Sequence, residues 1–136
     1  MRTARKADRE PTGNAARGSY RGPPGVSTTN LILEPGEGDV EALARTTGEG
    51  LYVADVAGLH SGVNPVSGQF SVGATGRLIS PGGELAEPAD EFTIASDLQS
   101  MLKAITAAGS EARWVPFGGS VLTPALLVGE MAIGGS

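Results

Sequence analysis

The chain reads as an α+β domain dominated by β structure: a mixed, largely antiparallel sheet, or a barrel-like sandwich, carrying one principal helix. Three observations predict this. Glycine makes up 21 of 136 residues without a G-X-Y period, which is about twice ordinary usage. These glycines sit among branched apolar residues, the setting of turns, bulges and close backbone approaches. The apolar runs are short, and Pro/Gly pairs separate them, as in a chain of strands. Only one stretch, near residues 96–108, sustains a helical stripe.

Residues 1–27 hold Pro11, Gly13, Gly18, Gly22, Pro23, Pro24 and Gly25 and few apolar side chains. They read as an extended linker, with the ordered domain spanning 28–136. The run TNLILEPG predicts a short strand closed by Pro35-Gly36. GDVEALARTTG predicts a short helix, with Asp39 as cap, Glu41 at the positive end of the dipole and Gly48 as stop. GLYVADVAG predicts a strand with Leu51, Val53 and Asp55 on one face and Tyr52, Ala54 and Val56 on the other.

Asn64-Pro65 and Ser67-Gly68 are turn pairs. Gln69 to Ala74 then alternates, with Phe70, Val72 and Ala74 on one face and Ser71 and Gly73 on the other. Gly73 and Gly76 predict bulges or a tight backbone approach. Pro81-Gly82-Gly83 predicts a hairpin, with a return strand from Glu84 to about Ala95 broken at Pro88. The principal helix is expected from Ser96, its N-cap, to Ala108, with Gly109 at C′. Its stripe of Leu98, Met101, Leu102 and Ile105 should face the core. A loop through Trp114 follows, the indole acting as a lid over the core or anchoring a partner. Ala125 to Ile133 closes the sheet.

Composition excludes several functions. Cysteine is absent, so disulfides, zinc ribbons and thiol nucleophiles are out. The apolar runs are too short for a membrane-spanning helix, and the basic N-terminus lacks the apolar core of a signal peptide. Residues 1–25 carry six basic against two acidic side chains, while the rest carries four against thirteen. The acidic body argues against nucleic acid as a partner, because phosphate contacts need clustered cations.

No catalytic or metal-binding residue set is complete. His60 is the sole histidine, and a zinc site needs three or four ligands. Ser61 is adjacent, but neighbours on an extended chain point apart. The glycines of 58–76 match neither phosphate-loop spacing. Ser71 lacks the G-x-S-x-G frame of a nucleophile elbow, since Gln69 takes its first position.

The segments TGNAARGSYRGPPGVSTTNLILEPG, GLYVADVAGLHSGVNPVSGQFSVGATGRLI, GGELAEPADEFTIASDLQSMLKAI and GGSVLTPALLVGEMAIGG together resemble the C-terminal domain of the TldD/PmbA family, metallopeptidases long labelled modulators of DNA gyrase. The resemblance covers about Thr12 to Gly135. It implies a fragment of a larger, two-domain cytoplasmic protein that pairs with a homologous subunit and acts on peptides or unfolded substrates. The family's zinc-binding H-E-x-x-x-H helix lies upstream, and ARWVPFGGSVLTP lacks the cysteine of the catalytic subunit.

The wording GLHSGVN sits nearer the metal-free PmbA (TldE) type, with zinc held by a catalytic partner subunit and no cofactor in this chain. On this reading His60, Ser61, Gly62 and Asn64 lie near a substrate cleft or subunit interface. Two alternatives remain: a peptidase whose metal comes from an upstream region, and an interaction module acting on a topoisomerase or another partner. Strands that pair with upstream sequence would leave exposed edges in the isolated chain.

Overall fold

The computed structural model describes residues 2–116 and 120–135. The elements in order are α1 (Arg2–Lys6), β1 (Ala15–Ala16), β2 (Gly25–Val26), β3 (Asn30–Ile32), α2 (Val40–Thr47), β4 (Gly50–Ala57), α3 (Leu59–Gly62), β5 (Gln69–Ile79), β6 (Leu85–Asp97), α4 (Leu98–Lys103), β7 (Ile105–Pro116), β8 (Ser120–Val128) and β9 (Ala132–Gly134). The fold is mostly β, with short helices and, among the described residues, no closed barrel. The chain divides into two units, residues 1–33 with 113–123, and residues 34–112 with 124–136.

The first unit contains α1, the two-residue antiparallel ladder of β1 and β2, and β3. β3 runs parallel to the start of β8, in register Asn30↔Ser120 to Ile32↔Leu122. The Leu33 amide extends the pairing to the Leu122 carbonyl at 2.9 Å.

The second unit is built on the antiparallel sheet β4-β5-β6-β9. Its core is Val72, Ala74, Phe92 and Ile94, with Leu51, Val53, Val56, Phe70, Ala89 and Met131 packed against it. The alternation of Phe70, Val72 and Ala74 places them on this face as the period-two pattern requires. α2 forms where expected. Asp39 accepts the Ala42 amide at 2.7 Å, and Gly48 closes the helix by donating to the Ala44 carbonyl at 3.1 Å. Leu43 and Ala44 are its buried residues.

Three expectations fail for tertiary reasons. The first concerns β4. Its register against β5 shifts between Val53 and Asp55, so Ala54 is an extra residue. The bulge returns Val56 to the face of Leu51 and Val53, and all three meet the core. Gly76 stands opposite. A methyl there would overlap the Tyr52 carbonyl oxygen and lie 3.2 Å from the Ala54 amide nitrogen, so the bulge demands glycine. Of the two glycines read as close approaches, Gly76 makes one. At Gly73 a methyl would sit 4.0 Å from its nearest neighbour, the Ala57 carbonyl.

The second is the principal helix. Only Leu98–Lys103 is α-helical, capped by Asp97 rather than Ser96, and Ile105 opens a twelve-residue strand. Ser96 and Asp97 are claimed by β5, pairing with Phe70 and Gln69. Gly109 lies mid-strand. Leu98 and Leu102 are about half exposed, so the stripe is not core. α2 is the longest helix among the described residues.

The third concerns the C-terminal part. β7 continues through Trp114, which is 55% exposed and sits in a strand rather than a loop. The expected closing strand is two, β8 and β9. Gly118 and Gly119, which precede β8, lie outside the described residues. The return strand β6 runs through Pro88 unbroken, though its pairing slips between Arg77 and Ile79. Arg77 spans that slip by donating to the Leu85 and Ala86 carbonyls at 2.8–3.2 Å.

Candidate functional site

β4 stops pairing with β5 at Ala57↔Gly73. The chain then leaves the sheet through the short turn α3 and returns beside β5, where Val63 bridges Phe70 and the Asn64 amide donates to the Gln69 carbonyl at 2.8 Å. The detour encloses an open hollow of about 580 Å³, lined by Ser61, Gly62, Val63, Asn64, Pro65, Gln69, Phe70 and Ser71.

Local chemistry fixes each wall. Gly58 enters α3 with φ 79°. The Ser61 and Gly62 amides donate to its carbonyl at 3.0 and 2.8 Å, and the Ser61 hydroxyl does so at 3.3 Å. His60 and Ser61 are therefore helical neighbours, not members of an extended chain as the sequence suggested. Gly62 presses against β5: a Cβ there would overlap the Ser71 carbonyl oxygen and stand 2.9 Å from Val72 Cγ1. Asn64 organises the next turn, its Oδ1 accepting from the Val66 and Ser67 amides at 2.9 and 3.2 Å. Gly68 completes that turn by donating to the Asn64 carbonyl at 2.8 Å.

Of the four residues singled out from sequence, Ser61, Gly62 and Asn64 line the hollow; His60 is exposed and does not. Sequence reasoning passed over Gln69 and Phe70 and treated Ser71 only as a failed nucleophile. Their membership arises because β5 outruns β4 by four residues, a property of pairing rather than of local pattern. A second hollow of about 330 Å³ lies over the bulges, with Asp55, Thr75, Glu91 and Thr93 in its lining.

Zinc requires a cluster of donors. With one histidine and no cysteine in the sequence, and no group of three or more His, Asp or Glu side chains drawn together among the described residues, the donor set does not fit the metal. Asp97 is the acid nearest in register, directly opposite Gln69. Hydrogen bonds from Ser100, side chain and backbone, hold its carboxyl below the ordinary value of 3.8.

A family model described as the PmbA/TldA metallopeptidase C-terminal domain matches residues 1–135. The chain belongs to the PmbA/TldD metallopeptidase family, as its C-terminal domain. Among curated relatives, the metalloprotease PmbA homolog of Haemophilus influenzae is 37% identical over 108 residues, covering 79% of this chain and 23% of the relative. A metalloprotease of Synechocystis sp. is 31% identical over 118 residues, covering 86% and 24%.

This PmbA/TldD domain thus spans about a quarter of the length of the curated relatives it matches. Among solved structures, TldE from Thermococcus kodakarensis aligns with TM-score 0.80 at 27% identity, covering 97% of this chain and 29% of that one. A Thermotoga maritima protein named for modulation of a DNA gyrase aligns with TM-score 0.83 at 31% identity, covering 98% and 29%. Among the described residues, no helix is long and apolar enough to cross a membrane.

Proposed function

We propose that this domain belongs to a PmbA-like, non-catalytic subunit. It forms one wall of a peptide cleft and part of the contact with a homologous, zinc-bearing subunit of TldD type. The carrying observation is the hollow between α3 and β5, a concave surface lined by uncharged polar and apolar residues, which suits an extended peptide. The donor inventory supports a metal held by the other subunit. Exposed apolar side chains at Val63, Val66 and Leu98 support an interface.

A cytoplasmic location and peptide or unfolded substrates are part of this reading; nucleic acid and membrane are not. No chemical step is assigned to the chain's own residues. Coexpression with a TldD-type subunit tests it. The two chains should co-purify, zinc should follow the partner, and His60→Ala should weaken pairing or peptide binding. Stoichiometric zinc on this chain alone would overturn the proposal.

A further inference from the structure

The hollow has a chemical character that narrows what it can hold. None of its eight lining residues is ionisable. Asn64 has spent its Oδ1 on the Val66 and Ser67 amides, leaving its Nδ2 group to donate outward. The Gln69 side chain is exposed and makes no hydrogen bond among the described residues. Its amide offers a donor and an acceptor together, the complement of one peptide unit. Phe70 adds apolar surface to the lining.

The electrostatic surroundings are mainly acidic, with Lys103 the cation that acts on Asp97. Asp97 stands opposite Gln69 on β6, and its carboxylate is fixed by the Ser100 amide at 2.9 Å. The unit that contains the hollow carries thirteen acidic against three basic side chains. A field of that sign repels anions over roughly a Debye length, about 8 Å at physiological salt.

We propose that the hollow selects uncharged or basic extended peptide segments, read through their main chain by the Gln69 and Asn64 amides, and rejects acidic ones. This rests on the cleft reading above and names its substrate class. Selection would then depend on two separable things, a short-range amide contact at Gln69 and a long-range field from the acidic unit.

Calorimetric titration of the full chain with three capped peptides of equal length tests both. One peptide is uncharged, one lysine-bearing and one aspartate-bearing. The first two should bind, with the aspartate peptide about tenfold weaker; that gap should shrink at 1 M salt, where the Debye length is about 3 Å. Gln69→Ala should weaken the uncharged peptide about three- to tenfold at either salt, the loss expected for a neutral hydrogen bond or two. Asn64→Asp, which keeps the turn acceptor but removes the outward donor, should act in the same direction. Circular dichroism should be unchanged for Gln69→Ala, whose side chain is exposed.

Equal or tighter binding of the aspartate peptide overturns the selection. So does an unchanged affinity in Gln69→Ala. If no peptide binds, the cleft reading itself fails, and this inference with it.

Discussion

The two units of the chain are built by different means. In the unit of residues 34–112 and 124–136, long strands exchange backbone bonds in an antiparallel sheet and bury Val72, Ala74, Phe92 and Ile94. All seven buried hydrophobic residues of the described chain are here. In the unit of residues 1–33 and 113–123, no described residue is buried, and Tyr20 and Val26 are at least 90% exposed. Its β1–β2 ladder has two residue pairs.

Charge divides the same way. The smaller unit carries seven basic and two acidic side chains, the larger three and thirteen. The larger unit holds its structure by packing; the smaller has backbone pairing and local turns, with little apolar burial to offset chain entropy. Even the larger unit's core is modest, since among the described residues no large side chain falls below 2% exposure.

Native-state hydrogen exchange would give the widest contrast. Amides at Val72 and Ala74 should exchange only on global unfolding, which for a stable domain costs about 5 kcal/mol or more, whereas those of Ala15 and Val26 should be nearly unprotected. Equal protection in both regions would break the comparison.

Glycine substitutions sharpen it. Gly76→Ala forces a methyl into the Tyr52 carbonyl and should cost about 3 kcal/mol in urea unfolding. Gly18→Ala in the smaller unit, with nothing within 4 Å of the added atom, should stay within about 0.5 kcal/mol. Removing the α2 cap by Asp39→Ala should cost about 1 kcal/mol in the same assay.

The smallest effect concerns acid. The folded carboxyl of Asp97 is depressed by its bonds to Ser100, so its contribution is present above the unfolded value and fades as pH falls through the lower folded one. Asp97→Asn should therefore flatten the acid limb of a stability–pH curve slightly. A curve identical to the parent's would show that the α4 cap contributes nothing.

Some of this architecture was legible locally. α2 could be read because cap, dipole and stop lie within ten residues of one another, and the hairpin at 80–84 because Pro81-Gly82-Gly83 leaves few other conformations. The hollow was half legible. The family resemblance drew attention to Ser61, Gly62 and Asn64, which line it, but Gln69 and Phe70 join it only because β5 extends past the end of β4.

The helix expected over 96–108 shows the opposite case. Leu98, Met101, Leu102 and Ile105 satisfy a helical period, and nothing nearby contradicts it. Backbone pairing with Phe70 and Gln69 claims Ser96 and Asp97 from one side, and β7 claims Ile105 from the other. Six residues of helix survive between them.

By itself, the sequence determined the β-rich class, the capped helix at 40–47, the turn positions and the family, because each rests on short-range chemistry or on a long run of ordered motifs. Only the tertiary structure decided the bulge at Ala54, the shortening of α4 and the membership of the hollow. Those depend on which strand lies opposite which, and a strand's partner is set by packing between residues far apart in the chain, which no local pattern records.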